Sequence, residues 1–147
     1  MNEHTERAEG LRSWAEGMNT LTAAADLLIR CGPPLLSGPW VERDPDRGRY
    51  WFNTEVIANE AGYLSGGEAR VLDIAALLAN DDRPVALGDA VSGLDRHHLD
   101  LVLAAIAHAS GSHEHSAPVT EQDEDGNPRI VRFDRTGSLY PWPDQGT

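Results

Sequence analysis

The sequence predicts a mainly α-helical domain: a compact bundle of four to six helices with a small β-hairpin and a loosely ordered C-terminal tail. Three observations carry that expectation. Apolar residues recur at helical spacing in several stretches between Thr20 and Ala109, and glycine, proline and capping residues punctuate those stretches. At Ser112 the composition turns to His, Glu, Pro and Asp. With 147 residues, 40% of them apolar and 24% charged, the chain is long enough to bury one core. The helical domain is expected over residues 5–111 and the acidic, proline-containing tail over residues 112–147.

The first helical signal runs from Glu6 to Cys31, where Leu11, Trp14, Met18, Leu21, Ala25 and Leu28 share one face. Gly17 and Asn19 weaken its middle and leave room for two shorter helices. Gly32, Pro33 and Pro34 stop it. Residues 33–53 read as a loop and a hairpin, with strands at Trp40–Arg43 and Arg49–Phe52 around a polar turn. A short helix is expected from Thr54 to Gly62.

The next helix has the strongest start signal. Ser65 and Glu68 form a capping box, in which each side chain satisfies a backbone N–H of the other's residue. Val71, Ile74, Ala75 and Leu78 follow at helical spacing, and Asn80, Asp81, Asp82 and Pro84 end the run. A short piece covers Leu87–Val91. Asp95 caps a last helix whose expected buried face is Leu99, Val102, Leu103 and Ile106, closed by Gly111. Beyond it, Arg129–Phe133 reads as a strand after a turn-forming DEDGNP.

The charge balance narrows function. There are 24 acidic residues against 12 basic ones, a net charge of −12, and every basic residue is arginine. Tight nucleic-acid binding relies on a basic stripe, so this balance disfavours nucleic acid, and the same sign disfavours an anionic membrane surface. One cysteine, Cys31, allows no internal disulfide. The opening MNEHTERAEG lacks the basic and apolar pattern of a secretory signal, and no stretch has the apolar length of a membrane span, so a cytoplasmic protein is expected.

The chain carries three resemblances. Leu64–Glu68, LSGGE, is similar to the signature motif of ABC ATPases. Pro84–Asp89 looks like a Walker B strand, and Ser92–Asp95 like the loop after it. With no lysine the chain has no phosphate-binding loop, and Ala90 stands where that family's catalytic glutamate follows the aspartate. The resemblance implies, at most, a module acting in trans on a partner's nucleotide. Thr54–Leu72 resembles a bacterial helix-turn-helix through Thr54, Ile57, Ala58, Ala61, Gly62 and Ser65. That resemblance implies a DNA-binding regulator with Arg70, Arg47 and Arg49 on the nucleic acid. Finally, SGGE, the helix IAALLA, the turn LGDA, GLD and the ending HASG, between Leu64 and Gly111, resemble a group of small actinobacterial hypothetical proteins. This implies an intact helical unit and assigns no catalytic residue.

No constellation calls for a cofactor or a metal. Asp123, Asp125 and Asn127 have the spacing of a calcium loop, but Pro128 replaces the glycine such a loop needs. His108, His113 and His115 fall partly in the expected linker, and His97 and His98 point about 100° apart on a helix. The aromatic residues Trp40, Tyr50, Trp51, Tyr140 and Trp142 are candidate partner contacts, because Trp and Tyr anchor interfaces. The sequence therefore points to a non-enzymatic accessory or adaptor protein with a protein partner, a homodimer being compatible. The DNA-binding regulator is the alternative, and the trans-acting signature module comes third.

Overall fold

The first helical stretch breaks where its sequence weakens it. In the computed structural model, which describes residues 2–57, 62, 64–79, 82 and 85–144, α1 (Glu3–Ala15) and α2 (Asn19–Cys31) are separate helices. Gly17 lies between them at φ 91°, a left-handed conformation that strains any side-chain-bearing residue. Leu11, Ala25 and Leu28 are buried as their spacing predicts, whereas Met18, at the break, is exposed.

Gly32 ends α2, and the chain then makes one helical turn, α3 (Pro33–Leu36), where a loop is expected. Two prolines open this turn because the first N–H groups of a helix have no helical acceptor to lose. Strands β1 (Val41–Arg43) and β2 (Tyr50–Phe52) form the predicted antiparallel hairpin, with Val41 opposite Phe52 and Arg43 opposite Tyr50. The Asp44 carboxylate organises its turn by accepting the N–H groups of Asp46 and Arg47. Of the helix expected over 54–62, a 3₁₀ turn at Thr54–Val56 is described; Ala58 to Ala61 lie outside the described residues.

Helix α4 (Gly66–Leu78) starts on the capping box. Ser65 Oγ accepts the Glu68 N–H at 3.2 Å, and Glu68 Oε1 accepts the Ser65 N–H at 3.0 Å. Val71, Ile74 and Ala75 are buried and Leu78 is half-buried. The expected stop residues Asn80, Asp81 and Pro84 lie outside the described residues. The piece at Leu87–Val91 is a helix, α5, and α6 (Arg96–Ala109) follows, its His98 N–H held by Asp95 at 2.8 Å.

α2 occupies the middle of the helical part and packs against α1, α3, α4 and α6. Its inner face joins small residues to leucines: Ala23, Ala24, Ala25, Leu27 and Leu28 are fully buried, as are Ala75 and Ala76 of α4 and Ala105 of α6. Helices that meet through alanines approach closely, since interaxial distance follows side-chain size.

Beyond Gly111 a 3₁₀ turn (Ser112–Glu114) leads into a second antiparallel hairpin, β3 (Ser116–Gln122) and β4 (Pro128–Arg135). β4 contains the predicted strand; β3 lies in a stretch whose composition reads as linker. Among the described residues the architecture is thus six α-helices with two small hairpins. No helix among them is long and apolar enough to cross a membrane.

Candidate protein-binding surfaces

The last helix corrects the sequence reading most sharply. α6 buries Leu101, Val102, Ala104 and Ala105, while three of the four residues expected to be inside face outward. Leu99, Leu103 and Ile106 are 41%, 37% and 45% exposed. At about 100° per residue these three share an arc roughly opposite Leu101 and Ala105. The physical reason is the packing of the bundle: α6 turns Leu101, Val102 and the alanines Ala104, Ala105 and Ala107 toward the helices it meets, chiefly α2, and Leu99, Leu103 and Ile106 are left on the outer surface. Periodicity alone favours the arc with the bulkier residues.

This outer arc forms a stripe at positions i, i+4 and i+7. Arg96 and Asp100 flank it, and together with His97, Leu99 and Leu103 they line an open depression of about 440 Å³. A helix that is apolar on both sides is normally covered on both sides. Full burial of a fully exposed side chain of this kind is worth about 1.5–3 kcal/mol, and these three have less than half of their surface left to cover, so a well-fitting partner gains part of that from each.

The first hairpin carries the aromatic candidates, and they separate. Trp40 is fully buried, and its indole N–H donates to the Leu35 carbonyl at 2.7 Å. Its burial corrects its assignment as a partner contact: the ring fills the core, and a side chain at Gly38 would occupy the same space. Tyr50 and Trp51 are half-buried and reach the surface. With Ser13, Trp14, Asp44, Arg47 and Arg49 they line a cleft of about 310 Å³. The Arg7 guanidinium lies over the Tyr50 ring at 5.2 Å and donates to the Val41 carbonyl at 3.0 Å, which fixes the ring. A neighbouring groove joins Arg43 and Arg49 to Glu6, Glu9 and Glu16, so the local arginine charge is offset by carboxylates.

The three arginines proposed for DNA contact are not gathered on one cleft. Arg47 and Arg49 share the hairpin cleft, whereas Arg70 directs its Nε toward the Asp89 carbonyl at 3.4 Å and packs beside Gly93. Residues 58–61 of the first helix of the helix-turn-helix reading lie outside the described residues.

Tyr140 and Trp142 also part ways. Tyr140 is exposed, but Trp142 packs against the helical core, with the Arg30 guanidinium 4.8 Å above its ring. Arg30 Nη1 donates to the Pro143 carbonyl at 3.3 Å, and the Leu139 N–H donates to Ser112 Oγ at 2.9 Å. Trp142 is thus half-buried against the core, a placement not legible in the sequence because its partner Arg30 is far away in the chain. The same region holds His108 and His113, whose rings stack at 4.0 Å with an interplanar angle of 5°. His108 Nε2 and Thr22 Oγ1 are 2.8 Å apart, a hydrogen bond to α2. Burial, and then the neighbouring His113, hold the His108 pKa below its ordinary value of 6.5.

The remaining motif residues have local structural roles. In the SGGE stretch, Ser65 and Glu68 cap α4, and a side chain at Gly67 would come within 2.8 Å of His98 Nδ1. Every distinctive residue of that stretch except Gly66 is accounted for by the cap or by packing. Asp123 accepts the N–H groups of Asp125 and Asn127, both at 2.9 Å, so its carboxylate shapes the hairpin turn. No group of three or more His, Cys, Asp or Glu among the described residues is set to hold a metal ion. The Cys31 thiol is pushed up to about 11, by burial first and by the charges of Glu68 and Asp95 next, so it stays protonated at neutral pH. Compared with known protein families, with curated proteins and with solved structures, the chain matches none.

Proposed function

We propose that this protein is a non-enzymatic accessory module, a helical bundle built around α2, that acts in the cytoplasm by binding another protein. The observation that carries this reading is the outer face of α6: Leu99, Leu103 and Ile106 form an exposed aliphatic stripe on a helix already packed on its other side. Half-buried Tyr50 and Trp51 supply a second surface, suited to contacts that combine aromatic and charged groups.

The test is a paired capture from lysate with the tagged protein and its Leu103→Glu variant, each with and without nuclease. The expected result is a protein retained by the parent in both conditions and lost by the variant, with unchanged helical circular dichroism. Retention of duplex DNA, or of proteins released by nuclease, would overturn this reading in favour of the helix-turn-helix alternative.

A further inference from the structure

Among the described residues the β3–β4 hairpin is a two-stranded sheet with no third strand. Both strands are exposed along almost their whole length, with only Val119 and Val131 half-buried. A lone two-stranded hairpin is marginal in water, and a wider sheet is the usual remedy. The pairing sets Pro118 opposite Phe133 and Thr120 opposite Ile130, across a bulge at Val119/Thr120. These residues share one face, where Ile130 and Phe133 are 54% and 65% exposed. The other face carries Arg132 and Asp134, joined within the strand by an exposed ion pair of 3.0 Å.

The two outer edges differ. Pro118 lies within β3 and has no N–H, and prolines in sheets turn that missing donor away from the paired strand. The outer edge of β3 is therefore blunted. The only proline of β4 is its first residue, Pro128, so Arg129 to Arg135 keep their donors. β4 offers the open edge.

We propose that β4 pairs antiparallel with β4 of a second copy of this chain, about a two-fold axis at Phe133, to make a four-stranded sheet. A two-fold axis perpendicular to a sheet must place some residue opposite itself. An axis at Arg132, Asp134 or Arg135 would set like charges directly opposite, which is unfavourable. An axis at Phe133 sets Arg132 of each copy opposite Asp134 of the other, twice, and brings the two Phe133 rings together on the apolar face. The strand is self-complementary in that register. The net charge of −12 opposes association of two copies at long range, but at physiological salt the screening length is about 8 Å, so contacts across the seam decide. This surface is separate from the α6 stripe, and the inference does not rest on the proposed function.

Sedimentation equilibrium of the full chain at physiological salt tests it. The parent is expected to dimerise. Arg132→Asp alone and Asp134→Arg alone should each weaken self-association by roughly tenfold or more, since each places two like-charged pairs across the seam. An equimolar mixture of the two single variants should associate as a one-to-one heterodimer, and the double variant Arg132→Asp/Asp134→Arg should regain the parental affinity. Circular dichroism is expected to be the same for all four chains. A monomeric parent, single variants that dimerise as the parent does, or a mixture no more associated than its components would each overturn the proposal.

Discussion

The seam between α2 and α6 and the C-terminal hairpin place their apolar residues in opposite ways. α2 and α6 bury six alanines between them, with Leu27, Leu28, Leu101 and Val102, so the area covered per residue is modest. In the hairpin Ile130 and Phe133, each with far more surface to cover, remain in solvent. The contrast teaches that residue size does not decide burial here. What decides it is which face meets a neighbour, and α6 shows both outcomes on one helix. The face with Leu101, Val102 and three alanines is inside, and the stripe of Leu99, Leu103 and Ile106 is outside.

Substitutions on the two sides of this contrast should differ widely. Trp40→Ala is expected to cost about 3–5 kcal/mol in urea unfolding, because it empties a fully buried site and removes the indole hydrogen bond to the Leu35 carbonyl. Ser65→Ala should cost about 1 kcal/mol, as the α4 cap is lost and the helix otherwise remains. Phe133→Ala should change monomer unfolding by less than about 0.5 kcal/mol, since that residue is 65% exposed.

The His108–His113 stack adds a pH dependence between these extremes. His108 has a lowered pKa in the folded chain, so the unfolded chain binds its proton first as pH falls below 6.5. Its contribution is fully present above that value and is lost on acidification toward the lower folded pKa. Asp26 and Glu114 oppose the shift, while Arg30 adds to it. Unfolding midpoints measured from pH 7.5 to 5.0 should fall more for the parent than for His108→Gln. Equal slopes would remove His108 from the acid response.

How much was legible in the sequence follows the same division. The capping box at Ser65 and Glu68, the Asp95 cap and the first hairpin were readable because their causes lie within a few residues. The inward face of α6 was not, because it depends on packing against α2, a helix far earlier in the chain. Trp40 and Trp142 illustrate the limit for candidate contacts. Both have the composition of an interface anchor, yet Trp40 is held by Leu35 and Trp142 by Arg30, and only the latter pairing is distant in sequence. The Trp40 contact, five residues back along the chain, follows a turn of prolines whose helical geometry the sequence reading did not anticipate.

The central claim is that α6 has two apolar faces and that only one belongs to the fold. The most direct test compares Leu101→Ala with Leu103→Ala in urea unfolding of the isolated chain at a concentration where it is monomeric. Leu101→Ala should cost about 2–5 kcal/mol and Leu103→Ala less than about 1 kcal/mol, with Leu103 still needed for partner capture. Equal losses of about 2 kcal/mol or more would mean that the stripe is part of the core, and would contradict the account.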